Sequence, residues 1–157
     1  MTELAALVEQ LVARGETVAA AESLTGGLLT ATLVTVPGVS RVLRGGLVVY
    51  ATDLKHSLAG VDADLLAERG PVDPDVALAL ARGARERCGA DWGLATTGVA
   101  GPGPQDGVPA GRVYVALAGP GGLGRVRALD IDGDRSHVRQ AAVESALDLL
   151  RDAVAIP

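Results

Sequence analysis

The chain has 157 residues, enough for one domain with a substantial core that needs no disulfide or metal staple. Apolar residues make up 48% and aromatic ones 2%, with no Phe, so Ala, Val and Leu must build the core, and stacking platforms for single-stranded nucleic acid are not expected. A formal net charge of −5 likewise argues against a nucleic-acid partner and leaves any basic feature to a local pocket.

The N-terminus carries Glu3 and Glu9 rather than a basic region followed by an apolar block. No segment approaches the ~20 apolar residues needed to span a bilayer. The expectation is a soluble cytoplasmic protein with no membrane partner. Cys88 stands alone, which excludes an intrachain disulfide, fits a reducing compartment and reads as a small buried side chain on a helix.

In chain order, Leu4, Leu7, Val8 and Leu11 stand at helical spacing within residues 3–14, and Gly15 ends that helix. A strand is expected at about 17–21 and a helix at about 25–35, closed by Pro37-Gly38. Residues 46–51 form a continuous apolar run that reads as an interior strand, and a short helical stretch follows from Thr52 to Ala59. Asp73, before Pro74, reads as the N-cap of a helix carrying Val76, Leu78, Leu80 and Ala84. Leu94–Thr97 is a buried strand that opens into a Gly- and Pro-rich loop, Gly98 to Gly111. Val113–Ala118 and Arg125–Ile131 read as strands of a hairpin joined through Gly119-Pro-Gly-Gly122. The last helix runs from Arg135 to Val154, with Val138, Ala142, Ala146, Leu149 and Leu150 inward. The order α-β-α-β-α-α-β-β-β-α predicts the α/β class, a three-layer α/β/α sandwich around a mixed sheet. No repeat or linker divides residues 1–157, so one domain is expected.

Chemistry gathers at the strand ends. Ala21-Glu-Ser-Leu-Thr-Gly-Gly27 joins a strand to a helix and collects hydroxyls, backbone N–H donors and the positive end of a helix dipole. Ser23 is there either as a helix cap or as a nucleophile. The segment is neither a Gly-x-x-x-x-Gly-Lys phosphate loop nor a Gly-x-Ser-x-Gly elbow. A nucleophile needs a base, and His56 and His137 have no local signature and read as surface residues; nothing shows metal-ligand spacing.

Lys55 closes Tyr50-Ala-Thr-Asp-Leu-Lys55, just past the second strand. As a base it needs a pKa lowered from ~10.4 to about 7–8, which requires roughly 3–5 kcal/mol of desolvation or repulsion. Asp53 and Glu22 oppose that if they lie close, and a solvated Lys at a helix start is the plainer reading of these residues alone. In the loop after Thr96-Thr97, Gly101 and Gly103 let backbone amides approach a ligand. Arg135 and Arg139 form either a pair for a phosphate or carboxylate, or two solvated side chains behind an N-cap.

Taken together, several of these segments resemble the CinA C-terminal domain family. They are Ala21-Glu-Ser-Leu-Thr-Gly-Gly27, Pro37-Gly-Val-Ser40, Gly45-Gly-Leu-Val-Val-Tyr50 with Lys55, and Val76-Ala-Leu-Ala-Leu-Ala-Arg-Gly-Ala-Arg85. Gly89-Ala-Asp91, Thr97-Gly-Val-Ala-Gly-Pro-Gly103 and Gly133-Asp-Arg135 continue the likeness over most of the chain. The family's characterised activity is nicotinamide-nucleotide amidohydrolase, the PncC-type deamidase of nicotinamide mononucleotide. The resemblance implies a Ser–Lys pair, with Ser23 as nucleophile, Lys55 as base, and Tyr50 and Thr97 holding the amine and the carboxamide in line. It implies a small-molecule nucleotide substrate and a homo-oligomer, with pyridine-nucleotide salvage or damage clearance as the role; no metal or other cofactor is expected.

Position adds an expected oxyanion cradle at Thr25, Gly26 and Gly27, and assigns Arg135 to the substrate phosphate. Four places depart from the family pattern: Leu24 replaces a frequent Cys, Asp53 an Asn, Gly70-Pro-Val-Asp73 a Gly-Ala-Val-Ser stretch, and Arg112 a frequent Thr. Full-length CinA proteins carry a further N-terminal domain that these residues do not include. The rival readings are a non-catalytic nucleotide-binding or assembly module of the same fold, and an amidase for another small amide.

Overall fold

The computed structural model describes residues 1–155. Helix α1 (Glu3–Arg14) starts where the Thr2 hydroxyl accepts the Ala5 N–H. It ends at Gly15, whose φ of 64° needs a glycine for its left-handed cap. There follow β1 (Val18–Glu22), α2 (Leu28–Val34), β2 (Leu43–Val48), α3 (Thr52–Ser57), α4 (Ala63–Arg69) and α5 (Pro74–Cys88). The chain continues through β3 (Trp92–Gly98), β4 (Arg112–Ala118), β5 (Gly124–Asp130) and α6 (Arg135–Val154). The sheet order is β2-β1-β3-β4-β5. Strand β1 runs parallel to both β2 and β3, while β4 and β5 are antiparallel additions, giving the mixed sheet that the element order implied.

Side chains alternate across the sheet and divide the core in two. Val18, Ala20, Leu94, Val113, Val115 and Leu117 pack with Leu7, Leu11, Leu29, Leu33, Val138 and Leu150 from α1, α2 and α6. The opposite face is mostly alanine: Ala19, Ala21, Ala95, Ala116 and Ala118 meet Val76, Ala77, Leu80, Ala81 and Ala84 of α5. Those small side chains let α5 lie almost on the sheet, and a Cβ on Gly93 would overlap the Ala81 carbonyl oxygen. Gly83 does the same for the chain just after α3, since a Cβ there would overlap the carbonyl oxygen of Ala59. The layers are therefore α/β/α, with α5 holding down the segment that carries Lys55.

Three expectations change. Strand β2 spans 43–48 and lies at the sheet edge rather than inside, with alternating burial. The apolar run misled because Val49, fully buried, belongs to the connection into α3 rather than to the strand. Helix α2 begins at Leu28 because residues 23–27 form a tight turn, and α4 was not foreseen. Asp62 caps α4 by accepting from Asp64 and Leu65 N–H, but about two turns of helix offer too few apolar positions for a period to show. The Asp73 cap of α5, with Pro74 in its first turn, and the β4–β5 hairpin stand as read.

Candidate active site

Strand β1 ends in a charge. Glu22 is fully buried, and its carboxylate is satisfied without any cation. Oε1 accepts from the Thr25 hydroxyl (2.6 Å) and from the N–H groups of Gly27 (3.2 Å) and Leu29 (2.8 Å). Oε2 accepts from the Thr30 N–H (3.0 Å) and hydroxyl (2.6 Å). Because the one Thr25 proton goes to Glu22, the neighbouring Thr96 hydroxyl donates to Thr25, at 2.7 Å.

This arrangement removes the capping role from Ser23. The amides at the start of α2 belong to Glu22, and the Ser23 hydroxyl faces Lys55 instead. The Ser23 N–H donates to Thr96 O at 3.0 Å, continuing the β1–β3 pairing one residue past the strand. Gly26 (φ 57°) and Gly27 (φ 103°) then turn the chain into α2 in a conformation that only glycine adopts without strain.

Lys55 is 1% exposed, so it is not the solvated side chain that its local sequence suggests. Its Nζ lies 3.0 Å from Ser23 Oγ and donates to the carbonyls of Val49 (2.8 Å) and Tyr50 (3.0 Å). Burial alone lowers its pKa to about 8. Asp53, the suspected counter-charge, makes no ion pair with it, and the Glu22 carboxylate is occupied elsewhere. When Lys55 is neutral, two carbonyls take its two N–H groups and its lone pair is left facing the Ser23 proton. That geometry suits general-base activation of a hydroxyl.

The other expected site residues are distributed around this pair. Tyr50 serves Lys55 through its carbonyl, while its side chain is 59% exposed. The buried Thr97 hydroxyl donates to Pro71 O at 2.5 Å and so ties the α4–α5 connection to the sheet. The amides of Gly26 and Gly27 are already committed, to Ser23 O and to Glu22. A cavity of about 220 Å³ is lined by Leu24, next in the chain to Ser23, by Tyr50, and by Gly101, Gly103, Gln105 and Arg135; Ser23 and Lys55 themselves do not line it. Arg135 donates to Gly101 O at 2.8 Å.

Arg139 does not join Arg135 as a pair. It clamps the Ser23 turn, donating to Leu24 O (3.0 Å) and Thr25 O (2.8 Å). The Gly- and Pro-rich loop folds back at its tip, where Gln105 and Val108 exchange backbone hydrogen bonds around Asp106 (φ 49°) and Gly107 (φ 78°). His56 and His137 are exposed, and Cys88 is only half-buried, with its thiol pKa pushed up by burial. No group of three or more His, Cys, Asp or Glu among the described residues is placed to hold a metal ion.

Sequence reasoning missed Glu22 and the Arg139 clamp. A signal for the first was available: a lone carboxylate closing an all-apolar strand must be buried and therefore must be hydrogen-bonded.

The CinA C-terminal domain family matches residues 2–154. A CinA-like protein of Frankia casuarinae is 53% identical over 141 residues, which is 90% of this chain and 32% of that protein. One of Gloeobacter violaceus is 49% identical over 146 residues, covering 90% of this chain and 34% of that protein. The chain thus spans about a third of the length of the curated relatives it matches. Among solved structures, a competence-damaged protein (CinA) superfamily member from Klebsiella pneumoniae superposes with a TM-score of 0.91 at 32% identity, covering 98% of this chain and 96% of that one. The competence/damage inducible protein CihA of Agrobacterium tumefaciens gives 0.88 at 32% identity, covering 99% and 97%. No helix among the described residues is long and apolar enough to cross a membrane. By sequence and by fold, the chain belongs to the CinA C-terminal domain family.

Proposed function

We propose that this domain is a nicotinamide-nucleotide amidohydrolase, converting nicotinamide mononucleotide and water to nicotinic acid mononucleotide and ammonia. One observation carries the reading: a serine hydroxyl 3.0 Å from a fully buried lysine amine that has no carboxylate partner and a pKa of about 8.

Lys55 takes the Ser23 proton as Oγ bonds to the carboxamide carbon. The carbonyl electrons move onto oxygen, and the resulting oxyanion needs donors. The amides of Leu24 and Thr25 have no hydrogen-bond partner among the described residues, whereas those of Gly26 and Gly27 do. The cradle therefore moves from the Thr25–Gly27 stretch to Leu24 and Thr25, each donor contributing about 3 kcal/mol to the transition state. Protonated Lys55 then delivers its proton to the departing nitrogen, and ammonia leaves an ester on Ser23. Water attacks that ester with Lys55 again accepting a proton, and Ser23 is restored.

The substrate phosphate cannot use the α2 N-terminus, because Glu22 occupies those amides. Arg135, on the cavity wall beyond Gly101, is the cation assigned to it. Tyr50 holds the amine through its carbonyl and stands at the cavity edge, and Thr97 ties the α4–α5 connection to the sheet through Pro71. Gly101 and Gly103 bring backbone close to the bound ligand. On this reading the domain works in the cytoplasm, as a homo-oligomer, in pyridine-nucleotide salvage, with Lys55 supplying the acid–base chemistry that a cofactor would otherwise provide.

Ammonia release from nicotinamide mononucleotide, its dephosphorylated nucleoside and a panel of small amides tests the proposal. The mononucleotide is expected to be the best substrate. A preference for the nucleoside or another amide would refute the assigned substrate, and binding of the mononucleotide without turnover would refute the enzyme.

A further inference from the structure

We propose that Glu22 is a positioning residue for the Ser23–Lys55 pair, its buried carboxylate acting as an internal anion that fixes the turn presenting the serine. The inference deepens the amidohydrolase reading and rests on it for its effect on turnover. A carboxylate taken fully out of water persists as a charge only when its oxygens are filled by donors, and here five donors fill them. Three of those donors, from Gly27, Leu29 and Thr30, are backbone amides that start α2, so the turn between Ser23 and the helix is held at both ends.

The same residue reaches the base by its main chain. The Glu22 carbonyl accepts the Val49 N–H at 2.8 Å, and the Val49 carbonyl accepts from Lys55 Nζ at 2.8 Å. Residue 22 is therefore covalently next to the nucleophile and separated from the amine by one residue, Val49. A shift of Glu22 moves the two reacting atoms relative to each other.

Two further features close the shell. The Thr25 proton goes to the Glu22 carboxylate, and the Thr96 hydroxyl fills the acceptor site that Thr25 has left. Gly46 on β2 makes room for the Thr30 hydroxyl, which a Cβ at that position would overlap. Neither is explained by binding a ligand, since Glu22 is fully buried and both its carboxylate oxygens are used. Nor does the charge act on Lys55 directly, because the lowered pKa of that amine is caused by burial alone.

Labelling of Ser23 by a fluorophosphonate probe tests the proposal without a substrate, since it needs only an activated serine. Glu22→Gln turns one acceptor into an NH₂ group facing N–H donors. It is expected to slow labelling by about 10²-fold, the scale of a displacement near 1 Å, while the labelling midpoint stays near pH 8. Thr25→Val should also slow labelling, and Thr25→Ser, which restores the hydroxyl, should recover it. Circular dichroism and melting confirm that each variant is folded, and if Glu22→Gln does not fold, the Thr25 pair decides.

Labelling of a folded Glu22→Gln within twofold of wild type would overturn the proposal. So would a midpoint moved well below pH 8, which would make Glu22 an electrostatic partner of Lys55. Equal rates in Thr25→Val and Thr25→Ser would overturn it as well. Normal labelling of the wild type without ammonia release would refute the amidohydrolase and leave this inference standing, whereas no labelling of the wild type would remove both.

Discussion

On the proposed mechanism Lys55 has to shed its proton before Ser23 becomes a nucleophile, so the pH dependence of turnover would follow from its burial. With a pKa of about 8, about a tenth of the molecules carry the neutral amine at pH 7. At the ordinary lysine value of 10.5 that share would be about 0.03%, so burial raises the reactive fraction by about 300-fold. The rate in the limit of low substrate should rise tenfold per pH unit below 7 and level off above 9, with its midpoint near 8. Lys55→Arg keeps the charge and loses the removable proton, so it should abolish turnover at every pH.

Stability carries the same signature. Between about pH 8 and 10.5 the unfolded chain binds a proton that the folded chain lacks, so stability should rise with pH by up to about 3 kcal/mol. That gain is lost progressively as the pH falls from 10.5 to 8 and is gone below 8, and it should be absent from Lys55→Met. Stopped-time ammonia assays and denaturant melts across pH 6 to about 11 read both effects. A flat rate profile, a midpoint near 10.5, or substantial activity in Lys55→Arg would refute the general-base assignment.

Two other variants probe the cavity and the scaffold. Arg135→Ala should weaken use of the mononucleotide by about 10- to 100-fold, mainly through KM, and leave a dephosphorylated substrate unchanged; equal losses on both would move the phosphate elsewhere. Gly93→Ala places a methyl group on the Ala81 carbonyl under α5 and should destabilise the fold by about 1–3 kcal/mol in urea melts, with wild-type stability contradicting the close α5–sheet contact.

The layers of this fold were legible because local chemistry announces them. Gly15 and Asp73-Pro74 mark helix ends by capping, and the apolar runs of β1 and β3 mark interior strands. Strand order is not local, so nothing in Leu43–Val48 revealed that it closes the sheet edge. The site shows the same division. The likeness of separate motifs to one family brought Ser23 and Lys55 together, but each alone suggested a cap and a solvated amine. What decides between the readings is tertiary: Glu22 takes over the capping, and the turn after α3 folds back so that Val61 N–H donates to Lys55 O while the side chain points inward. Arg135 and Arg139 look like a pair at i,i+4 spacing, yet the separate loops they reach give them separate partners.

The central claim is that Ser23, activated by Lys55, carries an acyl group cut from a nucleotide carboxamide. Ammonia release from nicotinamide mononucleotide by the wild type and by Ser23→Ala, measured side by side on folded protein at pH 9, tests it most directly. The account predicts steady turnover by the wild type and a loss of several orders of magnitude in the variant, whose lysine is still in place. Ammonia release at near-wild-type rates from Ser23→Ala, or none from the wild type, would contradict it.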